Sequence, residues 1–360
     1  DFNQIALSDI HLDIDSISYT PRGASLFIRK TLFKEKSGLE ILELTGGVNL
    51  DSTFNHLRLP MMTLMTPDSN ILTQADLDFN AFDDENHGKM KLRLLAQLGK
   101  QDLLRYAGNL PQKFMEHFPN HPLNIRGSVN GNLQHLELTG FDITLTTALK
   151  ATLNGTAENV TDLSRLKADI LLDGQTQNLN FMTALIDPKM SGIYRIPNNM
   201  GISGRLTANG TRYGANLTLH EGKGSVRLKG NAQIPLDSKG AMAVDRLSYD
   251  ADISIRQLNL HHFLPKDSIH TLTADIRANG YGTDLFSNRS RLDANAEIRL
   301  LKYGYMDLDS LVASATLQNG RGQFEVTGHN TIFDGTIGAD MALSSKLITG
   351  TFKADLAKAD

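Results

Sequence analysis

Two groups of histidines in the sequence have spacings that could serve a metal ion. His117 and His121 are four residues apart, which on a helix would place both rings on one face. Pro119 lies between them and disfavours a regular helix, so we interpret this stretch as a loop that leaves a helix. His261 and His262 are neighbours, and adjacent side chains on a helix point in different directions. At most one of them could therefore share a site with His270.

Acidic residues occur as spaced pairs and as one short run. Asp13 and Asp15, like Asp307 and Asp309, would project from one face of a strand, where paired carboxylates can act as acid and base. Because all four occupy the polar positions of alternating segments, we interpret them as part of a solvated face. The run at 83–85 lacks the spaced oxygen ligands and distal glutamate of a calcium loop, and we expect it at a hairpin tip.

Composition removes further classes of chemistry. The 360 residues include no Cys and no Trp, which excludes thiol catalysis and thiolate metal sites and disfavours an aromatic sugar cleft. Neither GxSxG nor HExxH occurs, and Gly222 and Gly224 are predicted to form a turn rather than a phosphate loop. A net charge of −4 offers no basic surface to nucleic acid. We therefore expect no enzyme activity and no catalytic, cofactor-binding or metal-binding residue.

The stretch FDITLTTALKATLNG, residues 141–155, shows the pattern that dominates the chain. Its apolar series is Phe141, Ile143, Leu145, Leu149, Ala151 and Leu153. Alternation over about thirteen residues predicts one long strand of roughly 43 Å with one polar and one apolar face. Thr147 breaks the series, and a bend at Thr146 and Thr147 would instead make two strands.

The same alternation recurs along the chain, and Gly-containing turns separate many of the segments. The later series begin at residues 166, 202, 247, 272, 292, 311 and 352. This pattern is typical of antiparallel strands with one dry and one solvated face, so the predicted fold class is mainly β. A long sheet of this kind must cover its apolar face, by packing on a second sheet or by curling around it.

Three short stretches favour helix instead of strand, at 100–118, 178–186 and 257–265. The first is predicted to contain two helical pieces. Asp102 is a possible cap of the first piece, and Pro111 stands near the start of the second.

The helical stretches are regularly placed. Asp102, Asn180 and Asn259 each precede an apolar helical turn, at intervals of about 78 residues. We predict an internal repeat of about 70–80 residues, built from several strands and one short helix. The predicted organisation is an N-terminal β region with a partial repeat at 1–98, followed by repeated units at about 99–177, 178–256 and 257–360. The units could also form one continuous domain.

No run of about eighteen apolar residues occurs, so no helix is expected to span a membrane. The chain opens with DFNQIALSDIHLDID, which is strand-like and lacks the basic start and apolar stretch of a signal peptide. We interpret the chain as an internal or mature fragment and expect any membrane anchor to lie outside it.

Five stretches combine strands, glycine turns and helices in a recurring way. They are HGKMKLRLLAQLGKQDLLRYAG (87–108), HPLNIRGSVNGNLQHLEL (121–138), YRIPNNMGISGRLTANG (194–210), RQLNLHHFLPKDS (256–268) and NGYGTDLFSN (279–288). These stretches resemble the TamB family within the wider AsmA-like group, and in particular its Bacteroidetes members. The similarity covers nearly the whole chain, as an internal piece of a longer protein, and includes no invariant catalytic motif.

The resemblance implies a fold, a location and a partner. The fold would be an elongated antiparallel repeating β-groove, or β-taco, with a hydrophobic interior and short helices inserted between repeats. The chain would lie in the periplasm of a Gram-negative bacterium, in a protein anchored in the inner membrane. The implied functions are phospholipid transport between the two membranes and outer-membrane biogenesis. The implied partner is an outer-membrane barrel of the TamA/BamA type.

The predicted functional residues are the apolar positions of the alternating strands. They would line a trough that shields lipid acyl chains, at about 0.8 kcal/mol per buried CH₂, while the outer walls face water. No cofactor and no nucleic acid is expected. The predicted lining residues are Phe141, Ile143, Leu145, Leu149, Leu153, Ile170, Leu172, Ile202, Leu206, Leu217, Leu219, Val226, Leu228, Ile253, Ile255, Leu272, Ile276, Ile298, Leu300, Leu317, Phe324 and Val326.

The helical stretches have a predicted role at this trough. They would plug, line or cap it, and so either seal it against water or gate it. The candidate side chains are Leu103, Leu104, Phe114, Met115, Phe181, Met182, Leu185 and Phe263.

Two other functions stay open at this stage. The chain could be a scaffold for outer-membrane protein assembly or translocation, in which edge strands pair with a client strand and the apolar interior is only structural. It could also be a surface polysaccharide enzyme or adhesin on an all-β scaffold. The missing Trp and the lack of convergent carboxylates argue against the enzyme or adhesin.

Overall fold

The prediction of a mainly β fold, with antiparallel strands and short inserted helices, is confirmed. The computed structural model describes residues 6–36, 38–82, 88–106, 111–185, 194–238, 240–284, 286–343 and 347–359. Within these residues there are twenty-one strands, two α-helices and four 3-10 helices. The acidic run at 83–85 lies outside the described residues.

The chain divides into two compact units. The first consists of residues 1–161 and 170–186, and the second of residues 162–169 and 187–360. Each unit is built mainly from antiparallel strands that pair with their neighbours in sequence. The division into repeats of about 70–80 residues stays a prediction.

The first unit contains an open antiparallel sheet. Its strands are β1 (Leu7–Thr20), β2 (Gly23–Glu35), β3 (Glu40–Asp51), β4 (His56–Met65), β5 (Asn70–Asp78), β6 (Met90–Leu98), β7 (Leu123–Asn132), β8 (His135–Leu145) and β9 (Leu149–Glu158). Each strand pairs with the next along the chain. After β9 comes β10 (Lys167–Thr176), which pairs with β9.

Short helices of the first unit follow its strands. A 3-10 helix, Phe79–Phe82, comes after β5, and another, Asn180–Leu185, comes after β10. Helices α1 (Lys100–Tyr106) and α2 (Gln112–His117) lie between β6 and β7, so the two helical pieces predicted here are confirmed. Pro111 immediately precedes α2, as predicted.

The predicted capping role of Asp102 is wrong. Helix α1 begins at Lys100, so Asp102 lies inside its first turn. Its carboxylate accepts hydrogen bonds from the hydroxyls of Thr66 and Ser69, 2.5 and 2.6 Å away, rather than capping its own helix. The carboxylate of Asp102 thus binds hydroxyl groups 36 and 33 residues away in sequence, and not the backbone N–H groups of its own helix.

The second unit is also an open antiparallel sheet. Its strands are β11 (Gly201–Asn209), β12 (Arg212–Glu221), β13 (Gly224–Gln233), β14 (Ser248–Asn259), β15 (Ile269–Tyr281), β16 (Arg291–Tyr303), β17 (Met306–Leu308), β18 (Leu311–Gln318), β19 (Arg321–His329), β20 (Phe333–Leu343) and β21 (Ile348–Ala359). They pair in order, except that β16 pairs with both the short β17 and β18.

Two further 3-10 helices belong to the second unit, Val244–Arg246 and Leu260–His262. The second of them lies within the predicted helical stretch 257–265. The Asn259 side chain accepts a hydrogen bond from the backbone N–H of His261 and so caps this helix.

The stretch 141–155 is a hairpin and not one long strand. Strand β8 ends at Leu145 and β9 begins at Leu149, and these two residues are directly paired. Because Phe141 also pairs with Leu153, the apolar residues before and after the turn share one face. The alternation therefore continues through the turn, which makes two strands resemble one. Thr147 sits in the turn with a φ of 71°.

Bulges interrupt the strands of the first unit near their middles. In β4 the register shifts between Leu59 and Met62, and in β8 it shifts between Leu138 and Phe141. Gly140, at the second bulge, has a φ of 56°, which glycine adopts without steric cost. Each bulge bends its strand and returns the apolar residues to the same face three positions later.

We predict that Thr147→Gly stabilises the first unit. A β-branched residue with left-handed φ is strained by roughly 1–2 kcal/mol, and glycine removes that strain. The gain should be up to about 1 kcal/mol in the free energy of unfolding, because glycine also loses more chain entropy. Urea unfolding followed by circular dichroism measures it.

Thr146→Gly is the matched control, because Thr146 is in the same turn and its φ is not positive. It should leave the stability unchanged or lower it. Equal stabilisation by both variants would contradict the account of this turn.

Candidate functional site

The pairing register shows which residues of the first unit share a face, because directly opposed residues project on the same side of a sheet. One row of opposed residues crosses β3 to β9. It runs through Leu44, Leu64, Ile71, Ala96, Ile125, Ile143 and Ala151. We call this side the apolar face of the first unit. Every member of this row is a hydrocarbon side chain.

The second unit has an apolar face of the same kind. One of its rows crosses β11 to β18 and runs through Ile202, Leu219, Val226, Ile255, Ala274, Ile298 and Leu311. Neighbouring rows add further apolar pairs, such as Leu217 with Leu228 and Ile253 with Ile276. The alternating apolar residues of successive strands therefore line up as continuous hydrocarbon rows across the sheet.

The predicted lining residues lie on these two faces, with one exception. In β10, Gly174 lies against Ala151 of the apolar face, so Ile170 and Leu172 share that face by alternation. The exception is Leu300, which pairs with Thr273 because of a bulge in β16. Leu301 takes its place and pairs with Leu272 on the apolar face.

The predicted lining residues are only partly removed from water. Leu145, Ile255 and Leu317 are buried, Leu206 and Phe324 are exposed, and the rest are half-buried. The completely buried hydrophobic side chains of the described residues are the alanines Ala81, Ala148 and Ala274. A compact core would enclose its Leu, Ile and Phe side chains fully, so these faces are not a closed core.

The total surface supports the same conclusion. The chain has a mass of 39.6 kDa and exposes 22405 Å². Two separate compact domains of half that mass would together expose about 17,000 Å². The observed area is larger, as expected of sheets whose faces are only partly covered.

The opposite side of each sheet carries charged and hydroxyl groups. In the first unit Asp142 accepts hydrogen bonds from Thr152 at 2.7 Å and from Arg126 at 2.6 Å, and both lower its pKa below the usual value. In the second unit the Ser254 hydroxyl and the Arg256 guanidinium lower the pKa of Asp275 in the same way. These networks keep the outer face hydrated while the other face stays apolar.

Helices cover one end of the apolar face in the first unit. Phe114 of α2, Phe118 and Phe181 form an aromatic cluster with ring centroids 5.4 to 5.7 Å apart. This cluster packs on Leu145 and Ala148, at the turn between β8 and β9. Leu104 of α1 joins the same packing. Among the helix candidates, Leu104, Phe114 and Phe181 are thus brought together.

The other helix candidates are placed differently. Leu103 of α1 faces a cavity, Met115 is half-buried, and Met182 is exposed. Phe263 lies in the second unit and is half-buried. The side chain of Leu185 lies outside the described part of the chain.

A polar network attaches α1 to the turn between β4 and β5. The Asp102 carboxylate is bound by the hydroxyls of Thr66 and Ser69, and the Gly99 N–H donates to the Ser69 Oγ at 3.0 Å. Gly99 is required here because a Cβ would lie 2.4 Å from Asp68. Thr66 and Ser69 are both buried, and their hydroxyls both donate and accept hydrogen bonds. A buried network that is satisfied in this way holds its elements in one arrangement.

Sequence reasoning missed the cavity beside this network. Its volume is about 440 Å³, and we call it the α1 cavity. Its lining residues are Leu39, Ile41, Leu64, Thr66, Ser69, Ile71, Leu98, Asp102 and Leu103. The predicted lining residues begin only at Phe141, although β6 alternates earlier in the chain without a bulge. The sequence signal for this part of the apolar face is the alternation of Leu92, Leu94 and Ala96 in β6.

The histidines make local contacts. His117 Nδ1 lies 2.8 Å from the carbonyl of Lys113, and α2 ends at His117, so His121 does not share its helix. His261 stacks near His270 with ring centroids 5.0 Å apart, whereas His262 Nδ1 lies 2.6 Å from Glu221 Oε1. Across the described ranges, no cluster of three or more His, Asp or Glu residues is arranged to hold a metal.

Comparison with known proteins does not assign the chain to a family. No family model matches the chain, and no curated protein or solved structure matches it. In the part of the chain that the structure describes, no helix has the length and apolarity needed to cross a membrane. The site consists of hydrocarbon rows on one side of each sheet and charged networks on the other.

We predict that Asp102→Ala loosens α1 from the sheet. The change leaves the hydroxyls of Thr66 and Ser69 without their charged acceptor, and such bonds contribute about 1.5–3 kcal/mol each. Amide hydrogen exchange at Leu103, whose N–H donates to the Gly99 carbonyl at 3.0 Å, should become faster by one to several orders of magnitude.

Asp252→Ala is the control, since Asp252 forms an exposed ion pair with Arg277. Such pairs contribute little, so its effect should be small, within about 0.5 kcal/mol. Unchanged exchange at Leu103 in Asp102→Ala would show that the network does not hold α1.

Proposed function

We propose that the apolar faces of the two units shield the acyl chains of phospholipids on their way between the inner and outer membranes. The observation that carries the proposal is the continuous rows of half-buried hydrocarbon side chains. A purely structural core would be closed, and an ordinary solvated face would be polar. A hydrocarbon ligand supplies the missing cover without any cofactor.

The rows suit movement along the face better than capture at one point. They consist of Leu, Ile, Val, Ala and Gly at similar spacing, so an acyl chain meets similar surface at each strand. Each buried CH₂ contributes about 0.8 kcal/mol, and small differences between successive positions leave small barriers. The head group would stay in water at the border of the face.

The location and partner of the protein also belong to this proposal. The resemblance to the TamB family supports a periplasmic position, with an inner-membrane anchor outside this chain. It also supports an outer-membrane barrel of the TamA/BamA type as partner, and a contribution to outer-membrane biogenesis. The charged outer networks around Asp142 and Asp275 are consistent with walls that face an aqueous compartment.

Strand pairing with an outer-membrane protein is the second candidate function. One observation favours it, because β1 carries exposed apolar side chains, Leu12, Ile17 and Tyr19. Tyr19 is 77% exposed. A client strand that paired by β-augmentation would extend the sheet there and cover such residues.

Photo-crosslinking in cells separates the two functions. A diazirine amino acid at Ile253 or Ile143 should yield covalent phospholipid adducts, detected by mass spectrometry of the purified protein. The neighbouring positions Ser254 and Thr144 project from the opposite face and should give none. Each pair differs by one residue, so local structure and expression are matched.

Other outcomes have defined meanings. Adducts with polypeptide instead of lipid, at Ile17 and not at Ile253, would favour the strand-pairing function. Equal lipid labelling at Ile253 and Ser254 would mean non-specific membrane contact. No lipid at either Ile253 or Ile143 would overturn the proposed shielding function.

A further inference from the structure

The α1 cavity has the size and shape of a ligand site. It lies on the apolar face of the first unit, with walls from β3 to β6 and from α1. Its volume of about 440 Å³ falls within the range of small-molecule sites, roughly 300–1,000 Å³. Leu64 and Ile71 belong both to its wall and to the row that crosses the apolar face. A ligand on that face can therefore extend into the cavity without leaving hydrocarbon surface.

The walls select a hydrocarbon. Most of them are Leu and Ile side chains, among which Ile41 is buried. The polar groups in the wall are Thr66, Ser69 and Asp102, and both hydroxyls donate to the same carboxylate. Because those hydroxyl protons are already used, the wall offers a ligand a carboxylate and no cation. An anionic head group is thus disfavoured inside the cavity.

The position of α1 explains why the described residues leave this cavity open. The helix is attached through the polar network at Asp102 and the close approach of Gly99, on one side of the cavity. On another side Leu104 packs with the aromatic cluster. Leu103 lies between these two attachments and lines the cavity. Three consecutive residues of α1 therefore face the polar network, the cavity and the aromatic cluster.

A cation lies beside the cavity. The Arg105 guanidinium is 3.5 Å from the Asp102 carboxylate, and the side chain is 35% exposed. This cation is paired with the Asp102 carboxylate, so it adds no positive charge that would draw a lipid phosphate into the cavity.

We propose that the α1 cavity holds the terminal part of one phospholipid acyl chain, which enters with its methyl end first. This inference rests on the proposed function and deepens it. Along the rows the chain contacts one sheet surface, whereas in the open cavity it contacts both the strands and α1. The lipid therefore resides longer at α1 than elsewhere on the face, so the first unit has a defined resting position for its ligand.

Spin-labelled lipid tests this directly. The protein is labelled at the δ1 methyl groups of isoleucine and mixed with phosphatidylcholine vesicles carrying a nitroxide near the chain end. A second sample carries the nitroxide near the head group. The chain-end label should broaden the Ile41 methyl signal strongly, and the head-group label should broaden it weakly. The Ile276 methyl signal, on the apolar face of the second unit, reports general lipid contact.

Ile71→Trp fills the cavity and should remove the broadening at Ile41 while leaving it at Ile276. Ile253→Trp is the matched control on the other apolar face and should leave Ile41 broadened. Leu64→Phe is a second cavity-filling variant in case the first does not fold. The methyl spectrum of each variant shows whether its fold is intact.

The outcomes distinguish the two proposals. Broadening at Ile276 without broadening at Ile41 overturns the cavity inference and leaves the shielding function standing. If neither Ile41 nor Ile276 is broadened, the result counts against both the cavity inference and the shielding function. Stronger broadening of Ile41 by the head-group label would overturn the methyl-first orientation. Broadening by a spin-labelled free fatty acid but not by phosphatidylcholine would overturn the phospholipid as occupant.

Discussion

A β-sheet with one apolar face is unstable in water unless that face is covered, and this constraint governs the molecule. The register aligns Leu, Ile, Val and Ala in rows across β3 to β9 and across β11 to β18. The residues in these rows are mostly half-buried. The faces therefore keep hydrocarbon surface in contact with water. An ordinary globular domain would bury such surface, which stabilises the folded state by about 25 cal/mol per Å².

The rest of the structure limits the consequences of that exposure. Charged networks, such as those around Asp142 and Asp275, give the opposite faces strong hydration and oppose association through them. In the first unit, α1 and the aromatic cluster cover one end of the apolar face. Bulges in β4 and β8 bend their strands while keeping apolar residues on one side. These features together leave a hydrocarbon surface on one side of each sheet and a charged surface on the other.

Alternation predicts a feature well where the pattern is local and fails where a single residue changes the register. It predicted most strands of the second unit, although not β17 or β20, because a period of two is a direct property of strands. It failed at Leu300, since one bulge moved that residue opposite Thr273. It merged β8 and β9, because apolar residues on both sides of the Thr147 turn share a face. The α1 cavity depends on contacts between residues more than thirty positions apart, which no local pattern encodes.

We propose that the apolar faces are open to lipid, and the absence of Trp from the chain allows a direct measurement. A single Trp is introduced at Ile276 or at its neighbour Arg277, on opposite faces of β15, and its fluorescence is followed with phosphatidylcholine brominated in the acyl chains. We predict strong quenching at 276 and little at 277. Equal quenching at the two positions, or none at 276, would contradict it.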